Sequence, residues 1–523
     1  MAINTLTLNI LGLVILFIFV FSVLATAEIL KRKHLLGGKT SRKLIHILVG
    51  NVVIVFPFIF SKLWFALVGP LFFVLFTYLT CPGSPIKKIR LKSVEEGHTY
   101  GTVFYAISLT VLVILFFEPE HFSQKNVIIF ASFLPLVWGD GISAVVGLKY
   151  GKKGEFKIFQ DKKSLIGSWS LTISSLVVVT IILTFFKINF FVSLYIGLLV
   201  SFISTIIEVV SPKGLDNITI PLVNALVLYL MFKSLNENYN RLEERISKTI
   251  ILVALCLSFV IAVTSILVKA LTWDGALAGF FFGIAIFGLG GWSWGAMYFA
   301  FFLIGSLTTF FKKKEKREVI NEFEKGSTAR DSLQASVNSI IPVIAALLNI
   351  LFPSNLFTVI TAGALATSLS DTLSTEIGSL SKKNPREAIK PWKEAIKGDP
   401  GAVSVLGTLA SVLGSGIIAF TGWLASLFEK TSLFHNNSLL LILLITLSGF
   451  IGAYFDSIFA ETIQRLNRCV ICGKITEKTY HCETKTEHFR GIKFIKNDLV
   501  NLLSIAVGSI CAIIFVFLFG LLY

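Results

Sequence analysis

Charge is scarce along this chain. Only 15% of its 523 residues are Asp, Glu, Lys or Arg, 54% are hydrophobic, and the mean hydropathy is +0.80. A soluble domain carries about 25% charged residues, so the shortage excludes a water-exposed globular fold and makes lipid the solvent. The sequence has no arginine-rich tail and no nucleic-acid-binding motif, which sets nucleic acid aside as a partner despite a formal net charge of +16. No convincing repeat relates the two halves. No small-residue cleavage site follows the first apolar run, Leu6 to Leu30, which leads into Lys31-Arg32-Lys33 instead. That run is therefore expected to remain as a helix.

What is present is one apolar segment after another. At about 20 residues per crossing the length allows on the order of 16 spans. They are expected near residues 6–30, 43–60, 62–80, 100–117, 126–147, 165–186, 188–210 and 220–236, then near 249–269, 275–290, 292–311, 335–352, 355–378, 402–428, 437–458 and 497–522. The expected fold is all-α, a polytopic integral membrane protein of two fused helical bundles with about eight spans each. The expected domains are 1–236 and 249–523, joined by a polar linker at 237–248.

Most Lys and Arg fall in the loops at 31–43, 81–98, 149–163, 312–334, 381–400 and 459–496, all on one side of these spans. The positive-inside rule makes that side the cytoplasm of a cell membrane and puts both termini outside. These cations set orientation, and where they crowd around carboxylates they are also suited to phosphate.

An ionised carboxylate is costly at bilayer depth, so an aspartate inside a span suggests a polar site. Gly139-Asp140 lies in such a span, in Trp138-Gly139-Asp140-Gly141, followed by Gly147, Lys149, Gly151 and Lys152. The glycines allow close approach, Asp140 suits a hard cation such as Mg²⁺, and Lys149 and Lys152 can neutralise phosphate. Lys163-Ser164 opens the next span, while Arg42 and His46 share a helical face four residues apart. Glu208 and Asp216-Asn217 add carboxylates at span ends. Helix packing would explain the glycines without explaining Asp140.

These motifs, across about residues 40 to 225, resemble the phytol kinase and dolichol kinase family of polyprenol kinases: Arg42-Lys43 with His46, Gly139-Asp140 with Gly147 and Gly151, Lys163-Ser164 with Gly167-Ser168, and Asp216-Asn217 with Pro221. The resemblance implies CTP-dependent phosphorylation of an isoprenoid alcohol. Asp140 and Asp216 would serve Mg²⁺, and Lys163 would neutralise charge.

The second half has its own set. Arg330, Gln334 and Asn338 recur at helical spacing where a span should begin, and Asp331 joins them as a candidate ligand contact, although a helix cap would account for Asp331 alone. Asp371 and Glu376, in Ser370-Asp371-Thr372-Leu373-Ser374-Thr375-Glu376-Ile377-Gly378, lie about 140° apart around a regular helix and need not share one metal. Lys397-Gly398-Asp399-Pro400-Gly401 reads as a glycine turn entering a helix, where amides can meet phosphate. Asp456-Ser457, Gln464, Asn497-Asp498 and Asn501 complete the set. From about Asp274 to Asn501 it resembles the membrane family that contains plant phytyl-phosphate kinase, with Asp399-Pro400 standing where Thr-Asn is more usual. The resemblance implies addition of a second phosphate to a prenyl monophosphate, with Asp371 on Mg²⁺.

Of six cysteines, Cys81, Cys256 and Cys511 lie in or beside spans. Cys469, Cys472, His481 and Cys482 fall together in one predicted cytoplasmic loop. That spacing supplies four ligands for a structural Zn²⁺, with unligated thiols as the alternative.

The expected function is that of a bifunctional isoprenoid alcohol and prenyl-monophosphate kinase. Its partners are a prenol, a prenyl monophosphate, a nucleoside triphosphate and membrane lipid. Cytidylyl transfer to a lipid phosphate, or membrane transport, would also fit polar groups in a polytopic bundle.

Overall fold

The computed structural model describes residues 5–35, 38–84, 100–151, 155–158, 161–211, 214–234, 248–311, 329–429, 433, 438–473 and 475–521. The expected linker at 237–248 lies outside them except for Lys248.

Among the described residues, fourteen helices are long and apolar enough to cross a membrane. Gly101–Phe116 is apolar but shorter, and Asp216–Ser234 is long enough but carries Asp216, Asn217, Asn224 and Lys233. These sixteen helices correspond to the expected spans. The protein is an all-α polytopic membrane protein.

Polar residues set where many of these helices begin. Ser123, Ser164, Asn189, Thr272, Ser354 and Ser404 each accept a hydrogen bond from an amide in the first turn that follows. Two spans are not regular α-helices: Gly38–Gly50 runs through a 3-10 turn, Asn51–Val55, into Phe56–Ile59, and Gln124–Leu134 passes through a π-helical turn, Pro135–Asp140, into Gly141–Tyr150. Pro135 lacks the amide that a regular ladder needs, and a π turn is a common local adjustment at functional sites.

The chain divides into two compact units, Met1–Ile246 and Ser247–Tyr523. Each is built around one span more deeply buried than the others in its unit. In the first it is Gln124–Tyr150, with 83% of its apolar window buried, and in the second Asn355–Gly378, with 72%. Without a hydrophobic drive between helices in lipid, close backbone approach supplies the packing. A methyl group on Gly363 would lie 3.0 Å from the carbonyl oxygen of Gly508 and 3.1 Å from Ser509 Cα, which shows how tightly Asn355–Gly378 meets Asn497–Leu518.

Among the described residues, short strands occur only between helices. Glu155–Ile158 pairs with Asp161–Ser164, Arg386–Glu387 with Ala402–Val403, and Leu466–Arg468 with both Ile475–Thr476 and Glu487–Arg490. Tyr480–His481 pairs with Thr484–Lys485. The basic loop 459–496, expected only as a loop, therefore contains a small antiparallel module.

Candidate active sites

In the first unit, strict alternation of the spans brings the start of Gly38–Gly50, the end of Gly141–Tyr150, the start of Leu165–Phe185, the end of Phe190–Val210 and the start of Asp216–Ser234 to one membrane face. Asp140 sits one helix segment inside that face and is 8% exposed. It forms an ion pair with Lys43, and His46 Nε2 lies 3.8 Å from the same carboxylate oxygen. His46 is itself placed: its Nε2 is 3.1 Å from the Leu136 carbonyl, and the Tyr105 hydroxyl donates to the His46 carbonyl at 2.9 Å. A second pair joins Lys163 Nζ to Glu208 Oε1 at 2.5 Å. Asn217 donates to the Gly214 carbonyl at 3.0 Å and its amide N–H meets Asp216 Oδ1 at 3.1 Å.

All of these groups border one cavity of about 760 Å³. Its other walls are Leu13, Phe17, Val20, Phe56, Phe73 and Phe76. Arg42 and Phe56 begin and end a single span, so the cavity reaches through roughly 20 Å of depth. A charged head and an apolar body in one continuous space suit an amphiphile. Three buried polar atoms on the wall have no partner: Arg42 Nε, Ser168 Oγ and Glu208 Oε2. A buried atom of this kind costs free energy unless something meets it. Glu208 Oε2, with Asp140 and Asp216 on the same wall, fits a hard divalent cation, while Arg42 and Ser168 fit phosphate oxygens.

The expected residues do not all gather there. Arg42, His46, Asp140, Lys163, Ser164, Asp216 and Asn217 do. Gly139 is buried in helix packing instead, where a methyl group would meet Ser175 and come 3.4 Å from the Leu171 carbonyl. Ser164 spends its oxygen on the Gly167 amide at 3.1 Å as a helix cap. Lys149 is exposed, 5.2 Å above the Tyr150 ring, outside the cavity. Lys152 lies outside the described residues. The partner of Asp140 is Lys43, which was expected only as part of the Arg42-Lys43 opening. Its helical relation to His46, three residues on, was the available signal.

In the second unit a smaller, more polar cavity of about 350 Å³ collects Arg330, Gln334, Asn338, Asp371, Glu376, Asp456 and Asn497. Asp371 and Glu376, expected to point apart, both border it. Asn501, with its amide nitrogen turned inward, donates to Asp456 Oδ1 at 3.1 Å. The turn at Gly398 and Gly401 has φ of 95° and 88°, a left-handed backbone that favours glycine. Its residues border the cavity with Lys397 and Lys383. Burial pushes the Asp399 carboxyl above its usual value, against the opposing effect of Arg490.

Three expectations are corrected here. Arg330 precedes the Ser332–Leu351 helix and bridges to Leu271, because Asp331 ends the loop as the cap. The polar stripe on that helix is therefore Gln334 and Asn338 alone. Asp331 does not border the cavity: its carboxylate accepts from the Gln334 amide at 3.0 Å while the Asp331 amide donates to Gln334 Oε1 at 3.3 Å, a capping box. Asp498 stands in the first turn of Asn497–Leu518, outside the lining, where a negative charge suits a helix start. Glu477 and Lys383 were not singled out from the sequence, and Lys397 was read only as part of the glycine turn; all three line the cavity.

Cys469, Cys472, His481 and Cys482 present ligand atoms within 4.8 Å of one another. Amides of Cys472 and Ile471 hold the Cys469 thiol down to about 6, whereas hydrogen bonding to Cys472, followed by burial, pushes Cys482 up to about 11.

Fold and sites together define a polytopic membrane protein with two internal polar cavities, one of them continuous with an apolar channel. The chain is 31% identical over 215 residues to phytol kinase of Synechocystis sp., a match covering 40% of this chain and 86% of that protein. It is 31% identical over 272 residues to protein PGR of Arabidopsis thaliana, covering 49% and 92%, and 27% identical over 230 residues to phytol kinase 1, chloroplastic, of the same plant, covering 40% and 73%. Residues 256–509 match the family described as integral membrane protein DUF92. No solved structure matches the chain. The chain belongs to the phytol kinase family.

Proposed function

We propose that this protein is a lipid kinase whose first unit phosphorylates an isoprenoid alcohol and whose second unit adds a phosphate to the resulting monophosphate, with CTP as donor in both steps. The observation that carries the first step is the joining of the Asp140–Lys43 and Lys163–Glu208 pairs to the phenylalanine-lined channel in one cavity. An isoprenoid tail fits the channel and leaves its hydroxyl among the charges. Family membership supports phosphotransfer to a lipid alcohol.

In that reaction the alcohol oxygen bonds to the terminal phosphorus of the nucleotide, the bond from that phosphorus to the bridging oxygen breaks, CDP leaves, and the hydroxyl proton passes to a carboxylate or to solvent. Asp140, Asp216 and Glu208 would hold Mg²⁺, which when bound supplies charge neutralisation on the phosphates. Lys163, Lys43 and Arg42 balance the remaining negative charge, and the channel aligns the hydroxyl. In the second unit Asp371, Glu376 and Asp456 offer the carboxylates, and Arg330, Lys383 and Lys397 the cations. Both sites would face the cytoplasm, from the placement of basic loops.

The test is to incubate the purified protein in detergent with a panel of prenols and labelled CTP or ATP, resolving monophosphate from diphosphate. CDP and both phosphorylated products are expected. Release of pyrophosphate would instead indicate cytidylyl transfer, and absence of any nucleotide turnover would overturn the reading.

A further inference from the structure

The segment between the Ser438–Thr462 and Asn497–Leu518 helices has too little apolar interior to hold its shape. Its strands are two to four residues long, and Val470 and Ile471, between two of its cysteines, are 54% and 64% exposed. Small modules of this kind are usually held by a metal or by cross-links. The chain nevertheless turns sharply. Gly473 has φ of 70°, and the consecutive residues Cys482 and Glu483 have φ of 49° and 60°. Two adjacent non-glycine residues in the left-handed region persist only when their surroundings over-determine them. The effect of both turns is to bring His481-Cys482 back against Cys469-Val470-Ile471-Cys472.

We infer that Cys469, Cys472, His481 and Cys482 hold one structural Zn²⁺, and that this ion clamps the wall of the second cavity. His481 Nδ1 lies 3.5 Å from Cys472 Sγ and 3.2 Å from Cys482 Sγ. A tetrahedral zinc site with Zn–S of about 2.3 Å and Zn–N of about 2.0 Å has ligand separations of about 3.5 to 3.8 Å. These two separations are within about 0.3 Å of the required ones, and all four ligand atoms lie within 4.8 Å of one another; four protein ligands fill a tetrahedral Zn²⁺ and leave no position for water, as in a closed structural site. Three cysteines cannot all pair in disulfides within the cluster, and a bond between two would leave the third thiol beside His481.

The link to the cavity runs through the sheet. Leu466–Arg468, which ends beside Cys469, pairs with Ile475–Thr476 and with Glu487–Arg490. Just before the first of these strands, Gln464 donates to Glu477 Oε1 at 2.6 Å, and both residues line the cavity. Arg490, at the end of the third, reaches the Pro400 carbonyl at 3.4 Å in the glycine turn. Gln464 and Arg490 are thus positioning residues for the cavity wall, and the metal fixes the sheet that carries them.

The test is metal analysis of the full chain purified under reducing conditions and reconstituted with zinc chloride. About one zinc per chain is expected, the stoichiometry of a closed four-ligand site. Cys472→Ser and Cys482→Ser should lose the zinc, Cys256→Ser should keep it, and His481→Cys should also keep it because a four-cysteine site is equally suitable. Trypsin should cut at Lys478 and Lys485 faster in the zinc-free variants, a readout that does not depend on catalysis. Wild-type protein without stoichiometric zinc, a Cys469–Cys472 disulfide under these conditions, or full retention of zinc by His481→Ala would each overturn the inference. None of these results bears on whether the protein is a kinase.

Discussion

Lys163 Nζ is shared between Glu208 Oε1 at 2.5 Å and the Glu208 carbonyl at 2.8 Å, so one ammonium both pairs a buried carboxylate and closes the end of the helix that carries it. A cation at a helix C-terminus is favourable on its own. Because Glu208 Oε1 is engaged while Oε2 is buried and unpartnered, the pair leaves an acceptor open at the cavity.

Removing one member of this pair strands the other, a loss on the order of 3 kcal/mol. Lys163→Met and Glu208→Leu should each lower the melting temperature in detergent, and the double variant should recover most of the loss. It should still fail to phosphorylate alcohol, because the cavity has lost both a cation and a carboxylate. A double variant as active as wild type would show the pair to be a packing device.

The proposed two-step scheme makes the roles of Asp140 and Asp371 separable. Asp140→Asn should depress alcohol phosphorylation by at least about a hundredfold while monophosphate phosphorylation continues, and Asp371→Asn should do the reverse. The surviving activity reports that each variant is folded. Loss of both activities from either change alone would contradict independent sites.

The spans, with Asp140 inside one and Lys163 at the start of another, were legible because long apolar segments and isolated charges are local signals. The partners were not. Lys43 and Asp140 are 97 residues apart and Lys163 and Glu208 are 45 apart, and helix phase within a bundle decides that Lys43, rather than the adjacent Arg42, pairs with Asp140. Asp331 shows the converse limit. A carboxylate beside a polar stripe reads equally as a ligand or a cap, and only the observed start of the helix at Ser332 separates them. The Cys and His spacing was visible, but the sheet that ties it to Gln464 and Arg490 depends on pairing between strands of two to four residues, too short to leave a periodic pattern.

Gly401 tests whether the second cavity depends on its backbone turn. Its φ is 88°, and an added methyl group would lie 2.7 Å from Glu461 Cβ and 2.9 Å from the Ser457 carbonyl. Gly401→Ala must therefore move the turn or the helix that bears Asp456. Phosphorylation of prenyl monophosphate should fall by about tenfold or more, as when positioning is lost by an ångström, with alcohol phosphorylation unchanged in the same preparation. Equal rates for both reactions in variant and wild type would remove the turn from the site.

Gly69 offers a test of the channel that does not touch the charged head. It borders the first cavity, yet an added methyl group there would meet no atom within 4 Å, so a side chain can enter open space without displacing the fold. Its helical φ also accepts any L residue, and replacing a mid-helix glycine should raise stability by roughly 0.5–1 kcal/mol. Gly69→Leu should therefore fold at least as well as wild type while filling part of the channel. Long prenols should then show a higher KM, and short ones that end before this point should be unaffected. The ratio of kcat/KM for a twenty-carbon prenol to that for a ten-carbon prenol is the informative quantity, since general damage would lower both. An unchanged ratio in a folded variant would mean that the tail does not lie along Gly69, and the space beside Gly69 would then belong to lipid rather than to substrate.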